Sequence, residues 1–447
     1  MTAPRSLRFV SVTACALVAT APAAGAVAPP PIDDLRLPAA GPPAPVHPTA
    51  QHDECFRAPQ AAVHSPGQLS GQDLSSVWAL TRGAGQTVAV IDTGVARHRR
   101  LPRLIPGGDY VSRHDGTADC DGHGTIVAGI IAATPDAADP EGFTGIAPEV
   151  SVLSIRQSSN KFHAIDDIGG SGVGDVETLA AAVRTAADLG ATVINISTVA
   201  CLPVGDDLGD QALGAALAYA VDLKNVVVVT AAGNTGGPGQ CAQQNPRDAA
   251  VADEVTMVAS PAWYDDYVLT VGSVGTDGSP SEFSLAGPWV DVAAPGESVV
   301  SLAPTDDGLV DISPSGTPLS GTSYAAPVVS AVAALVRARS PELTARQVMR
   351  RIEDTAHRPA SGWDPVVGNG VVDALAAISG SGAGQLERPE RPLSAPTTAD
   401  MRPAAHDAPR HAAVRGAAVC FALAAAVALI SALTGRLRRR AAPVTGD

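Results

Sequence analysis

Segments at residues 87–91, 150–155, 192–196, 226–229 and 267–271 are apolar almost throughout, with no alternation of polar and apolar positions. A strand of that kind has both faces buried, as in a parallel sheet covered by helices. Helix-compatible stretches at 124–133, 175–189 and 210–223 fall between the strands. Alternating strand and helix over roughly 300 residues predicts one α/β domain with a mainly parallel sheet. A domain that large buries an ample core without needing cross-links for bulk stability. No internal repeat is present.

The two ends read differently. Arg5 and Arg8 precede an apolar stretch at 9–24, and Ala24-Gly25-Ala26 and Ala26-Val27-Ala28 follow as cleavage sites. That is the layout of a secretory signal peptide, assigned to residues 1–28. Residues 29–74 form a proline-rich extension, which reads as extended chain with no core of its own. At its end Asp73 is placed to cap a short helix carrying Val77 and Trp78. The main domain is expected over 75–379, and 380–415 as a Pro/Gly-rich linker. Residues 416–435 carry no charge, and twenty helical residues span roughly 30 Å, the thickness of a hydrocarbon core. Arg436, Arg438, Arg439 and Arg440 follow, so the tail at 436–447 is expected in the cytoplasm and the domain outside the cell membrane.

The formal net charge is -15, and because both ends are basic the part between them is more acidic still. Nucleic acid is therefore excluded as a partner, and so is binding to anionic lipid through the domain surface. Of six cysteines, Cys15 lies in the signal peptide and Cys420 in the span. The remaining Cys55, Cys120, Cys201 and Cys241 suggest two disulfides, with three pairings open.

Chemistry concentrates in four glycine-bearing segments. In A-V-I-D-T-G-V, Asp92 ends a buried strand, where functional groups gather in open α/β sheets. A carboxylate there can fix the tautomer of an imidazole. A single D-T-G does not make an aspartic protease, which needs two such carboxylates sharing a proton. In D-G-H-G-T-I-V-A-G, His123 stands between glycines at a helix start. His114, Asp115, Asp119, Asp121 and His123 cluster in sequence, but their spacing fits no zinc helix, and no metal or cofactor is assigned. In G-T-S-Y-A-A-P, Ser323 opens a long apolar helix, whose free N–H groups favour a developing oxyanion, and Pro327 is expected in its first turn. V-V-V-V-T-A-A-G-N ends on Asn234, an amide able to donate to an oxyanion. Residues 157–174 read as a polar surface insertion near substrate.

Asp, His and Ser in that chain order, with the block from Phe283 to Gly296, resemble the subtilisin-type serine proteases over residues 75–378. The whole chain is similar to the mycosins, membrane-anchored subtilases of actinobacterial type VII secretion systems; R-G-A-G-Q-T-V-A-V-I-D-T-G-V and I-N-I-S-T-V-A-C carry the likeness, with the cysteine-bearing extension and the C-terminal span. The resemblance implies a subtilisin-like three-layer fold and a serine endopeptidase using Asp92, His123 and Ser323, with Asn234 at the oxyanion. It implies protein or peptide substrates and partners in a secretion membrane complex. The alternative it leaves is a mainly structural component of that complex, with proteolysis secondary. Ser197, Thr198 and Val199 occupy the substrate-pairing segment, where many subtilases carry S-L-G-G; Val199 and Ala200 in place of glycines predict a narrowed site and selective cleavage. Cys201 and Cys241 follow adjacent strands, so Cys201–Cys241 is the expected bridge, leaving Cys55–Cys120 to pin the extension beside His123. The extension is too short and proline-rich for a compact inhibitory propeptide and is expected to stay attached.

Overall fold

The computed structural model describes residues 27–380 apart from 59–67, 70–71, 139–141, 167–171, 238–239, 249–253 and 314. The expected linker, membrane span and basic tail lie outside the described residues, as does the signal peptide up to residue 26. Among the described residues no helix is long and apolar enough to cross a membrane.

In chain order the strands are β1 (Thr49–Gln51), β2 (Thr87–Asp92), β3 (Leu104–Asp109), β4 (Ser151–Arg156), β5 (Phe162–Ala164), β6 (Val193–Ile196), β7 (Ala200–Pro203), β8 (Val227–Ala231), β9 (Met257–Ser260), β10 (Leu269–Val274), β11 (Val292–Pro295), β12 (Ser301–Leu302) and β13 (Leu309–Val310). The helices are α1 (Leu74–Leu80), α2 (His123–Ala132), α3 (Val176–Asp188), α4 (Gln211–Ala218), α5 (Thr322–Arg339), α6 (Ala345–Thr355) and α7 (Ala374–Ser379). Seven strands form one sheet in the order β11-β10-β8-β6-β2-β4-β3, parallel throughout. The five apolar runs read from sequence are β2, β4, β6, β8 and β10, and β6, β8 and β10 are buried along their whole length. The helix expected over 210–223 is α4 followed by a π turn at Tyr219–Leu223.

The topology creates the site. From β2 the chain steps to one side through β4, then returns to β6 on the other side. The order therefore reverses at β2, and a crevice opens at its carboxyl end, where Asp92 lies. Helices α2 and α5 pack on each other, and α5 also meets β6, β8, β10 and β11. Every α5 residue from Tyr324 to Val336 is buried, as expected for a helix that is apolar all round. Each fully buried Val or Leu there contributes about 1.5–3 kcal/mol.

Pro327 is not in the first turn of α5. It is the sixth helical residue, and it removes the N–H that would bond the Ser323 carbonyl. The Ser197 hydroxyl takes over, donating to that carbonyl at 2.8 Å. Behind it, Asn195 Nδ2 donates to Ser197 Oγ at 2.9 Å, and Ser330 Oγ donates to Asn195 Oδ1 at 2.8 Å.

The extension does not float. Ile32 and Leu37 pack against the main core, and Arg184 donates to the Pro38 carbonyl at 2.6 Å. Strand β1 pairs antiparallel with β5, inside the 157–174 insertion. Asp73 caps α1 through the Ser76 N–H, as anticipated. Gln72 Nε2 donates to the Val372 carbonyl at 2.7 Å, while Ala374 N donates to Gln72 Oε1 at 3.0 Å, so the start of the domain is fastened to its last helix.

Candidate active site

Asp92, at the carboxyl end of β2, is fully buried; its Oδ1 accepts from His123 Nδ1 at 2.7 Å and from the Thr93 N–H at 2.7 Å. His123 is the first residue of α2, and its Nε2 lies 3.0 Å from Ser323 Oγ. The loop after β2 and the helix start touch: a Cβ on Gly124 would collide with the Gly94 carbonyl oxygen, so glycine is required for the two segments to meet. Burial opposes a charged imidazole, but the Asp92 carboxylate, by charge and hydrogen bond, with Asp119 and Asp121 behind it, outweighs that and raises the His123 pKa above 6.5. The Tyr324 ring lies 5.2 Å from the His123 ring, centroid to centroid.

Ser323 is the second residue of α5, where a backbone N–H has no intrahelical acceptor. Asn234 follows β8; its Oδ1 accepts from Thr322 N at 2.9 Å and Thr322 Oγ1 at 3.0 Å, which leaves Nδ2 to face outward as donor. The point that a Cβ on Gly321 would occupy is 3.1 Å from Ser323 Oγ, 3.4 Å from Asn234 Nδ2 and 3.8 Å from Ser323 N. A nucleophile-type hydroxyl and two N–H donors thus surround one small space. This is the arrangement acyl transfer requires: a base beside the hydroxyl, an acid orienting the base, and donors aimed at developing negative charge.

Residues 83–370 match the subtilase family model. The chain belongs to the subtilase family. It is 55% identical to Mycosin-4 of Mycobacterium tuberculosis over 460 residues, spanning 100% of both chains, and 42% identical to Mycosin-3 of the same organism, spanning 94% of this chain and 95% of that one. Among solved structures, the MycP3 protease from the type VII (ESX-3) secretion system superposes with a TM-score of 0.72 at 45% identity, covering 79% of this chain and 99% of that one. A chain of an intact ESX-5 inner membrane complex superposes with a TM-score of 0.75 at 41% identity, covering 91% and 100%. This subtilase is thus a mycosin-type serine protease by relationship.

In the subtilase, Ser197 lies just beyond β6 and its hydroxyl faces inward to the Ser323 carbonyl. Thr198 and Val199 are half-buried, and the Val199 side chain reaches 3.5 Å from the Cβ position of Gly233, beside Asn234. Cys201 lies on β7 and bridges to Cys241, with Cα atoms 5.2 Å apart, and Cys241 N donates to the Asn234 carbonyl at 2.9 Å. Cys55 bridges to Cys120, with Cα atoms 4.4 Å apart, and Phe56 beside it packs on Gly122. The acidic run before His123 disperses: Asp115 turns to Thr117 and Arg97, and Asp121 accepts from Ser159 Oγ and Asn160 N in the insertion. The sequence offers Asp119 only as part of an acidic cluster with metal-ligand residue types and gives no role to Thr93, Thr125, Tyr324 or Gly321; the available signal is D-C-D-G-H-G-T, an acid four residues before the histidine and a threonine two after it.

Proposed function

We propose that this chain is a membrane-anchored, extracytoplasmic serine endopeptidase that works through Asp92, His123 and Ser323. The observation that carries the reading is the continuous chain Asp92 Oδ1, His123 Nδ1, His123 Nε2, Ser323 Oγ, at 2.7 and 3.0 Å, ending at the space bounded by Asn234 Nδ2 and Ser323 N. Ser323 Oγ attacks the scissile carbonyl while His123 takes its proton. Asp92 holds the ring and stabilises the imidazolium, and the two donors hold the oxyanion. His123 then protonates the leaving amine, and water releases the acyl group by the reverse steps. The backbone of Ser197 to Val199 lies alongside substrate, and Val199 narrows the site so that few sequences are cleaved. In the test, a fluorophosphonate probe labels the wild-type chain, whereas Ser323→Ala is unlabelled and keeps its melting temperature. Equal labelling of both would overturn the assignment of Ser323.

The anchoring reading rests on residues 1–28, 416–435 and the arginines after Gly435. Residues 29–74 are the attached extension, 75–379 the catalytic domain and 380–415 the tether. Protease added to intact spheroplasts is expected to release a domain fragment; full protection would reverse the orientation. A second role follows from the relative found within the ESX-5 inner membrane complex: as a component of a type VII secretion complex, stabilising it independently of cleavage. Secretion that survives Ser323→Ala but not deletion of the chain separates the two roles.

A further inference from the structure

The triad geometry requires that the end of β2 and the start of α2 hold a fixed distance, although residues 94–121 of intervening loop and strand separate them. One carboxylate spans that joint. Asp119 Oδ1 accepts from the Gly122 N–H at 2.7 Å and from Thr93 Oγ1 at 2.9 Å. Its Oδ2 accepts from the Thr125 N–H at 2.8 Å and from Thr125 Oγ1 at 2.7 Å. Both hydroxyls are themselves acceptors, Thr93 Oγ1 from the Gly124 N–H at 3.0 Å and Thr125 Oγ1 from the Ala96 N–H at 2.9 Å. Their hydrogens are therefore committed to Asp119. Two of the five tied residues, Gly122 and Gly124, flank His123, and a third, Thr93, donates its N–H to Asp92. The α2 N-cap is a glycine with no side chain to offer, so Asp119 does the capping from three residues upstream.

We propose that Asp119 is a positioning residue that holds His123 in register with Asp92, by joining the chain after β2 to the first turn of α2 through a carboxylate that must be ionised. This rests on the reading of Asp92, His123 and Ser323 given above. The requirement for charge comes from the donor pattern. Each oxygen faces a backbone N–H, which cannot reverse its role, so an amide fails in either orientation and a protonated acid points a hydrogen at a donor. The residue keeps some surface, but its carboxylate faces inward. Burial, joined by the Asp92 charge, raises its pKa to about 6 against the hydrogen bonds from Thr125 and Gly122, which pull it down. The titratable groups facing the joint are Asp92 at the end of β2, Asp121 on the same loop, His123 on α2 and Tyr324 on α5. The Asp119 charge also helps to raise the His123 pKa.

The test uses the full chain and the rate of Ser323 labelling by a fluorophosphonate, followed from about pH 5 to about pH 9. In wild type the rate rises to a plateau as His123 loses its proton, and Ser323→Ala gives none; if wild type is unlabelled, the triad reading itself has failed. Asp119→Asn is expected to remain folded by circular dichroism, to label at least about tenfold more slowly on the plateau, and to shift the midpoint to lower pH because an anion beside the imidazolium is gone. A plateau within about twofold of wild type, or a loss with an unmoved midpoint, overturns the proposal. If Asp119→Asn does not fold, Thr93→Val keeps the charge and cuts one link: a slower plateau at an unchanged midpoint supports the proposal, and an unchanged plateau overturns it.

Discussion

Gly321 contributes by what it lacks. Its missing Cβ leaves the space between Ser323 Oγ, Asn234 Nδ2 and Ser323 N open, and its backbone is extended, with φ 164°, so any residue could adopt it. Gly321→Ala therefore adds no backbone strain and fills with a methyl group the space that the proposed mechanism gives to the oxyanion. Turnover is expected to fall on the order of 10²- to 10³-fold, the loss known for a removed oxyanion donor in subtilisin itself. Kinetics on a peptide substrate, with melting temperature as control, check it; wild-type turnover would refute the role of that space. Asp92, His123, Ser323 and Asn234 are legible in the chain as candidates because each stands within two residues of a glycine, at the end of an apolar run or the start of one. The acid at Asp119 is visible in D-C-D-G-H-G-T, but its link to Thr93, 26 residues away, is not, since only the folded loop brings them together.

At the scale of elements, α5 is an example of one residue repairing what another breaks. Pro327 orphans the Ser323 carbonyl, and Ser197, just past the carboxyl end of β6, satisfies it. Ser197→Ala is expected to cost about 1–3 kcal/mol in urea denaturation, the price of a buried acceptor left unpaired. Pro327→Ala restores a helical N–H to the same carbonyl, so the double variant Ser197→Ala/Pro327→Ala should recover the part of the loss due to the carbonyl, leaving the part due to Asn195 Nδ2, which also loses its partner; additive losses would show that the carbonyl is not a cause. The strands that sequence reading found are the ones buried on both faces. It missed β3, with sequence L-I-P-G-G-D, because an edge strand carrying Pro and Gly shows no apolar run. It also missed β1 and β5, three residues each, which pair only because the extension is carried across the insertion. Pro327 was misplaced by reading helix starts from composition, which cannot see a partner outside the helix.

For the whole molecule, the extension is a belt tied at Cys55–Cys120, a sequence separation of 65 residues. Replacing both cysteines with serine should lower stability by up to about 4 kcal/mol, and the active mature chain should begin before Cys55. Denaturation and intact-mass analysis check both; an active form starting beyond Cys55 would refute the attached belt. The clasp between Gln72 and the segment ahead of α7 has a different consequence, one of timing. Its two hydrogen bonds join residues 300 and 302 positions apart, so α1 is fastened only when nearly the whole domain has arrived. Such non-local closure belongs to folds of high contact order, which assemble slowly and late. A chain interrupted before Val372 has Gln72 open, and one stopped before Ser323 lacks the hydroxyl that faces His123 Nε2. The order in which the chain emerges thus leaves the Asp92, His123 and Ser323 constellation incomplete until late in the arrival of the domain.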